Sequence, residues 1–228
     1  MKTSNKILLT LFLLPFVTVL FIMLAVHAKI KNGDYITEKQ EQEENRITNP
    51  LAPFSEIDLS AYKNGKVEIK YSDSFYIRYD KSQKENISIE EQGNKLVLKT
   101  NNGSDNYHFA TIFCPTFSAL RFDSLEVFVD AMHLANIQID AGAEASLHFA
   151  AKAASLAVSG QRGSTISLDD KAVVDTLNLE LSNGASFNNM QGVITRLGLV
   201  RLEDSASMNI GGRTMQMLLQ NSNAAPKQ

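Results

Sequence analysis

Four apolar residues in the second half of the chain, Leu147, Ile166, Phe187 and Met208, recur about every 20 residues, and this recurrence constrains the fold most. Each follows a hydroxyl residue: Ser146, Thr165, Ser186 and Ser207. One position earlier stands a small residue: Ala145, Ser164, Ala185 and Ala206. Ile139, Val158, Leu179 and Val200 lie eight positions before the four apolar anchors. A unit of this length cannot hide its apolar side alone, but parallel strands stacked about 4.8 Å apart would give a shared interior. The expected fold is therefore all-β: a parallel β-solenoid (β-helix) with coils of about 20 residues, preceded by one N-terminal transmembrane helix. The small residues suit tight corners, and the hydroxyls predict a ladder along the outside. Between Thr195 and Leu202 strict alternation would turn Gly198 inward and Leu197 and Leu199 outward. A bulge or a covered face is expected there.

The first half of the body alternates without that longer register. Ile57 and Leu59, then Val67, Ile69 and Tyr71, then Ile77 and Tyr79 alternate with polar residues. Ile87 and Ile89, and Leu96 and Leu98, do the same between turn signals such as Lys63-Asn64-Gly65 and Gln92-Gly93-Asn94. A β-sandwich is the competing reading for this half.

From Ile7 to Ala28 the chain has no charged residue. At about 1.5 Å per residue the run spans a hydrocarbon core of roughly 30 Å. Ile7, Leu8, Phe12, Phe16, Leu20, Phe21 and Leu24 are the expected anchor residues. A cleavable signal peptide is the rival, with Val26-His27-Ala28 at the cut. The run exceeds the core of about 7–15 residues usual for such peptides, which favours an uncleaved anchor. The short leading tail predicts that the tail stays inside and the body outside. Residues 29–53 are polar and charged and read as a spacer. The expected organisation is residues 1–6 as cytoplasmic tail, 7–28 as anchor, 29–53 as linker, 54–220 as body and 221–228 as disordered tail.

The net charge of -3 shows no excess of base, which argues against a nucleic-acid partner. None of the four histidines shows metal-ligand spacing, and no cofactor motif is present. The single cysteine, Cys114, sits in a strand pattern and reads as a buried thiol. Asp169-Asp170-Lys171 is the one suggestive acidic pair. Adjacent strand residues point opposite ways, so the two carboxylates would share a site only in a turn. Three Asp-Ser/Thr-apolar triplets, centred on Ser124, Thr176 and Ser205, could carry O-linked sugars, but they read first as ordinary turn and strand composition.

The stretch from Pro53 to Thr100 runs from Phe54-x-x-Ile57-x-Leu59 through Val67-x-Ile69 and Phe75-x-Ile77-x-Tyr79 to Gly93-x-x-Leu96-x-Leu98. With Ile112-Phe113-Cys114-Pro115, Phe117 and Leu120, this order resembles the head GIN domain family, also called putative auto-transporter adhesins. The resemblance extends to about Leu218. Asp123-Ser124-Leu125-Glu126 stands where the family commonly has a glycine-rich turn. What it implies is a single-domain bacterial envelope protein with a right-handed parallel β-solenoid, with no binding residues to transfer. Adhesion is the family's inferred activity.

The expected function is a non-enzymatic, envelope-anchored, adhesin-like binding module. It is a single-pass membrane protein with its C-terminal body outside the cytoplasm, periplasmic or on the surface. Its partners would be the membrane and a glycan or envelope protein, met by the ladder Ser146, Thr165, Ser186 and Ser207. No catalytic, metal or cofactor residues are expected. Two alternatives are a self-associating envelope scaffold, which would be oligomeric, and a polysaccharide lyase or hydrolase built on Asp169, Asp170 and Lys171.

Overall fold

A computed structural model describes residues 3–32, 44–101, 107–212, 214–216 and 218, apart from the side chains of 3–10 and 131. Residues 33–43 of the expected linker, the expected tail (221–228) and the side chains of Ile7 and Leu8 fall outside this description. Helix α1 runs from Thr3 to Asn32. Its residues Leu11–Asn32 have a mean hydropathy of 2.5, long and apolar enough to cross a membrane. Pro15 lies inside it, and one turn later the Thr18 hydroxyl donates to the Leu14 carbonyl at 2.8 Å, a polar group satisfied within the helix.

A second compact unit begins at Arg46. Its strands are β1 (Arg46–Pro50), β2 (Glu56–Ala61), β3 (Gly65–Tyr71), β4 (Tyr76–Asp80), β5 (Ile87–Gln92), β6 (Lys95–Thr100), β7 (His108–Cys114) and β8 (Ala119–Phe122). Then come β9 (Glu126–Ala141), β10 (Ser146–Gly160), β11 (Thr165–Leu168), β12 (Val173–Leu181), β13 (Ser186–Asn189), β14 (Val193–Leu202) and β15 (Ser207–Ile210). All belong to one 15-stranded sheet.

The wholly parallel β-solenoid expected from the recurrence is not the fold: the sheet is a mixed half-barrel. β1 with β4, β4 with β7 and β5 with β6 are antiparallel, while the remaining pairs are parallel. The turn chemistry explains part of the difference. Gln92 faces Lys95 across Gly93 and Asn94, and Gly93 has φ 66°. A two-residue loop can join only antiparallel neighbours, and glycine reaches a positive φ without strain. Arg46–Pro50, expected within the spacer, forms an edge strand against β4.

β9 and β10 are 16 and 15 residues long and belong to two rows of strands. Their first halves join β4, β7, β3, β11, β13 and β15, and their second halves join β5, β6, β2, β8, β12 and β14. The register shift between Ala150 and Lys152 marks the bend. Inward residues of both rows therefore form one apolar cluster. In it Leu147 pairs with Ile166, Ile166 with Phe187 and Phe187 with Met208, in register. The first three are fully buried and Met208 is half-buried. Ala145, Ser164 and Ala185 are buried at the corners, and corner N–H groups link successive turns: Thr165 to Ala145 O and Ser186 to Ser164 O, both 2.8 Å. Near Gly198 the sheet resolves the phase conflict with a bulge, since Leu177 pairs with Leu197 but Leu179 with Val200.

Candidate functional site

The outward side chains of the first row bring charged and aromatic groups together. On β3, Val67 and Ile69 are buried, so Lys66, Glu68 and Lys70 face out. Glu68 takes Lys70 at 2.6 Å and Lys66 at 3.2 Å. Partial burial pushes its carboxyl up, but the two ammonium groups outweigh that and hold it below the ordinary glutamate value.

Beside β3, Phe128 on β9 lies between two neighbours. His148 of β10 stacks on it with ring centres 4.4 Å apart and planes 7° from parallel. Lys66 Nζ stands 3.9 Å from the ring centre. His148 also lies 3.6 Å from Glu126 and 4.0 Å from Asp169. On the far side of β3, Phe113 of β7 stacks on Tyr76 of β4 at 4.4 Å, with the Arg78 guanidinium 5.4 Å from each ring. Together these form a band of rings and charges across five strands.

The turn after β11 brings Asp169, Asp170 and Lys171 to this band. All three line one shallow cleft with Glu68, Lys70, Phe128, Asp130 and His148. The turn thus gives the adjacent carboxylates the shared site that a strand would deny them. No group of three or more His, Cys, Asp or Glu suited to a metal ion occurs among the described residues.

The hydroxyl residues Ser146, Thr165, Ser186 and Ser207 pair in register across β10, β11, β13 and β15. The Ser186 hydroxyl donates to that of Thr165 at 3.3 Å. His148, Ser167, Asn188 and Asn209 form a second column two residues along the same strands. The anchor residues Phe12, Phe16, Leu20, Phe21 and Leu24 are exposed on α1. Of the triplet hydroxyls, Ser124 donates to the Ala143 carbonyl, Thr176 accepts from Arg196, and Ser205 is exposed in a turn.

The aromatic band was missed from the sequence, although a signal existed. Phe109, Phe113 and Phe128 each stand at a polar-phase position between residues that point inward. An apolar ring at an outward position is the informative exception to alternation.

The family described as "Putative auto-transporter adhesin, head GIN domain" matches residues 53–224. Solved structures that the chain matches include a putative adhesin from Bacteroides fragilis NCTC 9343, 12% identical, covering 73% of this chain and 94% of that one, with a TM-score of 0.40. A putative adhesin from Parabacteroides distasonis ATCC 8503 is 8% identical, covers 72% and 96%, and has a TM-score of 0.38. A putative cell adhesion protein from Clostridium sporogenes ATCC 15579 is 15% identical, covers 73% and 98%, and has a TM-score of 0.34. No curated protein matches the chain. The match over most of the body places the chain in the head GIN domain family of putative auto-transporter adhesins.

Proposed function

We propose that this protein is a membrane-held, adhesin-like binding module that presents the outward face of its first strand row to a ligand outside the cytoplasm. The apolar helix α1 would hold it in the cell envelope as a single-pass protein. The carrying observation is the side-by-side placement of two in-register polar columns, led by Ser146, Thr165, Ser186 and Ser207, next to the cleft at Phe128 and His148. Repeated weak polar contacts on a fixed lattice add up when a ligand also repeats, as a glycan or a filamentous envelope protein does.

The same observations favour binding over polysaccharide cleavage. Glu68 is engaged by Lys66 and Lys70, and His148 lies between Glu126 and Asp169. A carboxylate held low by two ammonium groups, as Glu68 is, suits recognition, whereas a general acid would need a raised pKa. The test is retention of the full chain, held in detergent micelles, on immobilised glycan and envelope fractions. Retention by at least one fraction, lost when Thr165 and Ser186 are both changed to Lys, supports the reading. Absence from every fraction, or retention indifferent to that change, contradicts it.

A further inference from the structure

The part of the first row farthest from β3 differs in chemistry from the part that carries the rings and charges. β11, β13 and β15 are each four residues long, so each has two outward positions. Those positions hold Thr165 and Ser167, Ser186 and Asn188, and Ser207 and Asn209, all of them half-buried or exposed. None of the six is charged and none is apolar. Ile166, Leu168, Phe187 and Asn189 point the other way and are buried, which holds the six outward. With Ser146 and His148 of β10 they form two rails in unbroken register across β10, β11, β13 and β15. Neighbouring strands lie about 4.8 Å apart, and two residues along a parallel strand cover about 6.6 Å. The strip is therefore a straight ladder, about 7 Å between rails, with one rung per strand.

The side chains on the ladder narrow what can lie on it. Serine and threonine hydroxyls and asparagine amides each donate and accept hydrogen bonds. With no charge at the six positions, the strip offers neither a polyanion nor a polycation a partner. A protein is also poorly matched, because protein interfaces centre on aromatic, aliphatic or arginine anchors seated in apolar pockets, and the six positions supply none. A neutral glycan matches in chemistry and in spacing. In a pyranose chain whose ring bonds are all equatorial, the rings lie in one ribbon. Each ring advances by nearly one strand spacing, and hydroxyls run along both edges. A chain with an axial ring bond curls away from a straight ladder.

We propose that this strip binds a neutral, equatorially linked glycan lying across the strands, one ring per strand, with its two hydroxyl edges on the two rails. The inference rests on the reading of the first-row face as the binding surface, and it selects glycan over protein as the ligand. The stacked rings of Phe128 and His148 mark the β10 end, beyond which Glu126, Lys66 and Glu68 take over the outward positions. Four rings thus fill the ladder.

The test is calorimetric titration of the full chain in a detergent without a sugar headgroup. The probes are cellotetraose, xylotetraose and N-acetylchitotetraose, whose ring bonds are equatorial, and maltotetraose, whose ring bonds include an axial one. At least one of the first three should bind, about tenfold or more tighter than its own disaccharide and than maltotetraose. Asn188→Lys should weaken that binding by about tenfold or more. Ser155→Lys, at an outward position in the second half of β10, should leave it unchanged. If Asn188→Lys loses its fold by circular dichroism, the length and linkage series decide. The proposal is overturned if none of the three binds, if maltotetraose or the disaccharide binds as tightly, if a folded Asn188→Lys binds like the parent, or if Ser155→Lys weakens binding equally. Envelope fractions that retain the chain while no tetrasaccharide binds or competes would overturn the glycan and leave the binding-module reading standing. Absence from every fraction would remove both.

Discussion

Replacing Ile166 with Ala should cost far more stability than replacing Met208 with Ala, although both belong to one inward column. Ile166 is fully buried between Leu147 on β10 and Phe187 on β13, with both neighbours fixed in register. Its strand is pinned at the corner, where Thr165 N–H bonds Ala145 O and Ser186 N–H bonds Ser164 O, both at 2.8 Å. The cavity left by Ala can collapse little, so the loss belongs in the upper half of the usual range, about 3–5 kcal/mol. Met208 is half-buried, with no described strand beyond β15. Removing it gives up part of one side chain's burial, about 1 kcal/mol. The assay is pulse proteolysis of the full chain in detergent over a urea series, with the midpoint difference converted through the slope of the parent. Equal losses at the two positions, or a near-neutral Ile166→Ala, would refute a common column that runs from a closed interior to an open end.

Further outcomes follow from other contacts. A Cβ at Gly65 would sit on the His108 carbonyl oxygen of the paired strand β7, so Gly65→Ala should cost about 1–3 kcal/mol or more in the same assay. Gly212→Ala, with nothing within 4 Å of the new carbon, should stay within about 1 kcal/mol of the parent. Glu68 is held below the ordinary glutamate value of 4.5. Its folded form is thus favoured above that pH, and the contribution fades as pH falls through the depressed value. Glu68→Gln should flatten the acid side of a stability-versus-pH curve, and an unchanged acid limb would count against the Lys66 and Lys70 pairing. Burial pushes the Cys114 thiol up to about 12, so a maleimide at pH 8 should label the unfolded chain rapidly and the folded chain hardly at all.

The inward column was legible because large aliphatic and aromatic side chains at fixed spacing have few places to go. The bulge near Gly198 was legible for the same reason: Leu197, Leu199 and Val200 cannot all face inward in an unbroken strand. The mixed sheet was not. Strand direction depends on which strands meet, and the run from Ile57 to Leu98 alternates equally well in a parallel or an antiparallel partner. β1 was hidden because Ile47 is the one large apolar residue in a polar stretch, and an edge strand needs little burial. The length of β10 was masked by Ala150, Ala151, Ala153 and Ala154, whose small side chains fit the inside and the outside alike. The Asp169-Asp170-Lys171 cluster could be named from the sequence, but its meeting with Glu68, Asp130 and His148 depends on three other strands.

The most direct test combines placement with exposure. Variants of the full chain that keep the buried Cys114 and add one cysteine, Thr165→Cys or Ile166→Cys, are treated in cells with a small maleimide that does not cross the cytoplasmic membrane, before and after that membrane is lysed. Thr165→Cys should react at its new thiol before lysis, and Ile166→Cys in neither condition until the protein is unfolded. Labelling of Thr165→Cys only after lysis, or equal labelling at the two positions, would contradict a body outside the cytoplasm that presents this hydroxyl column outward.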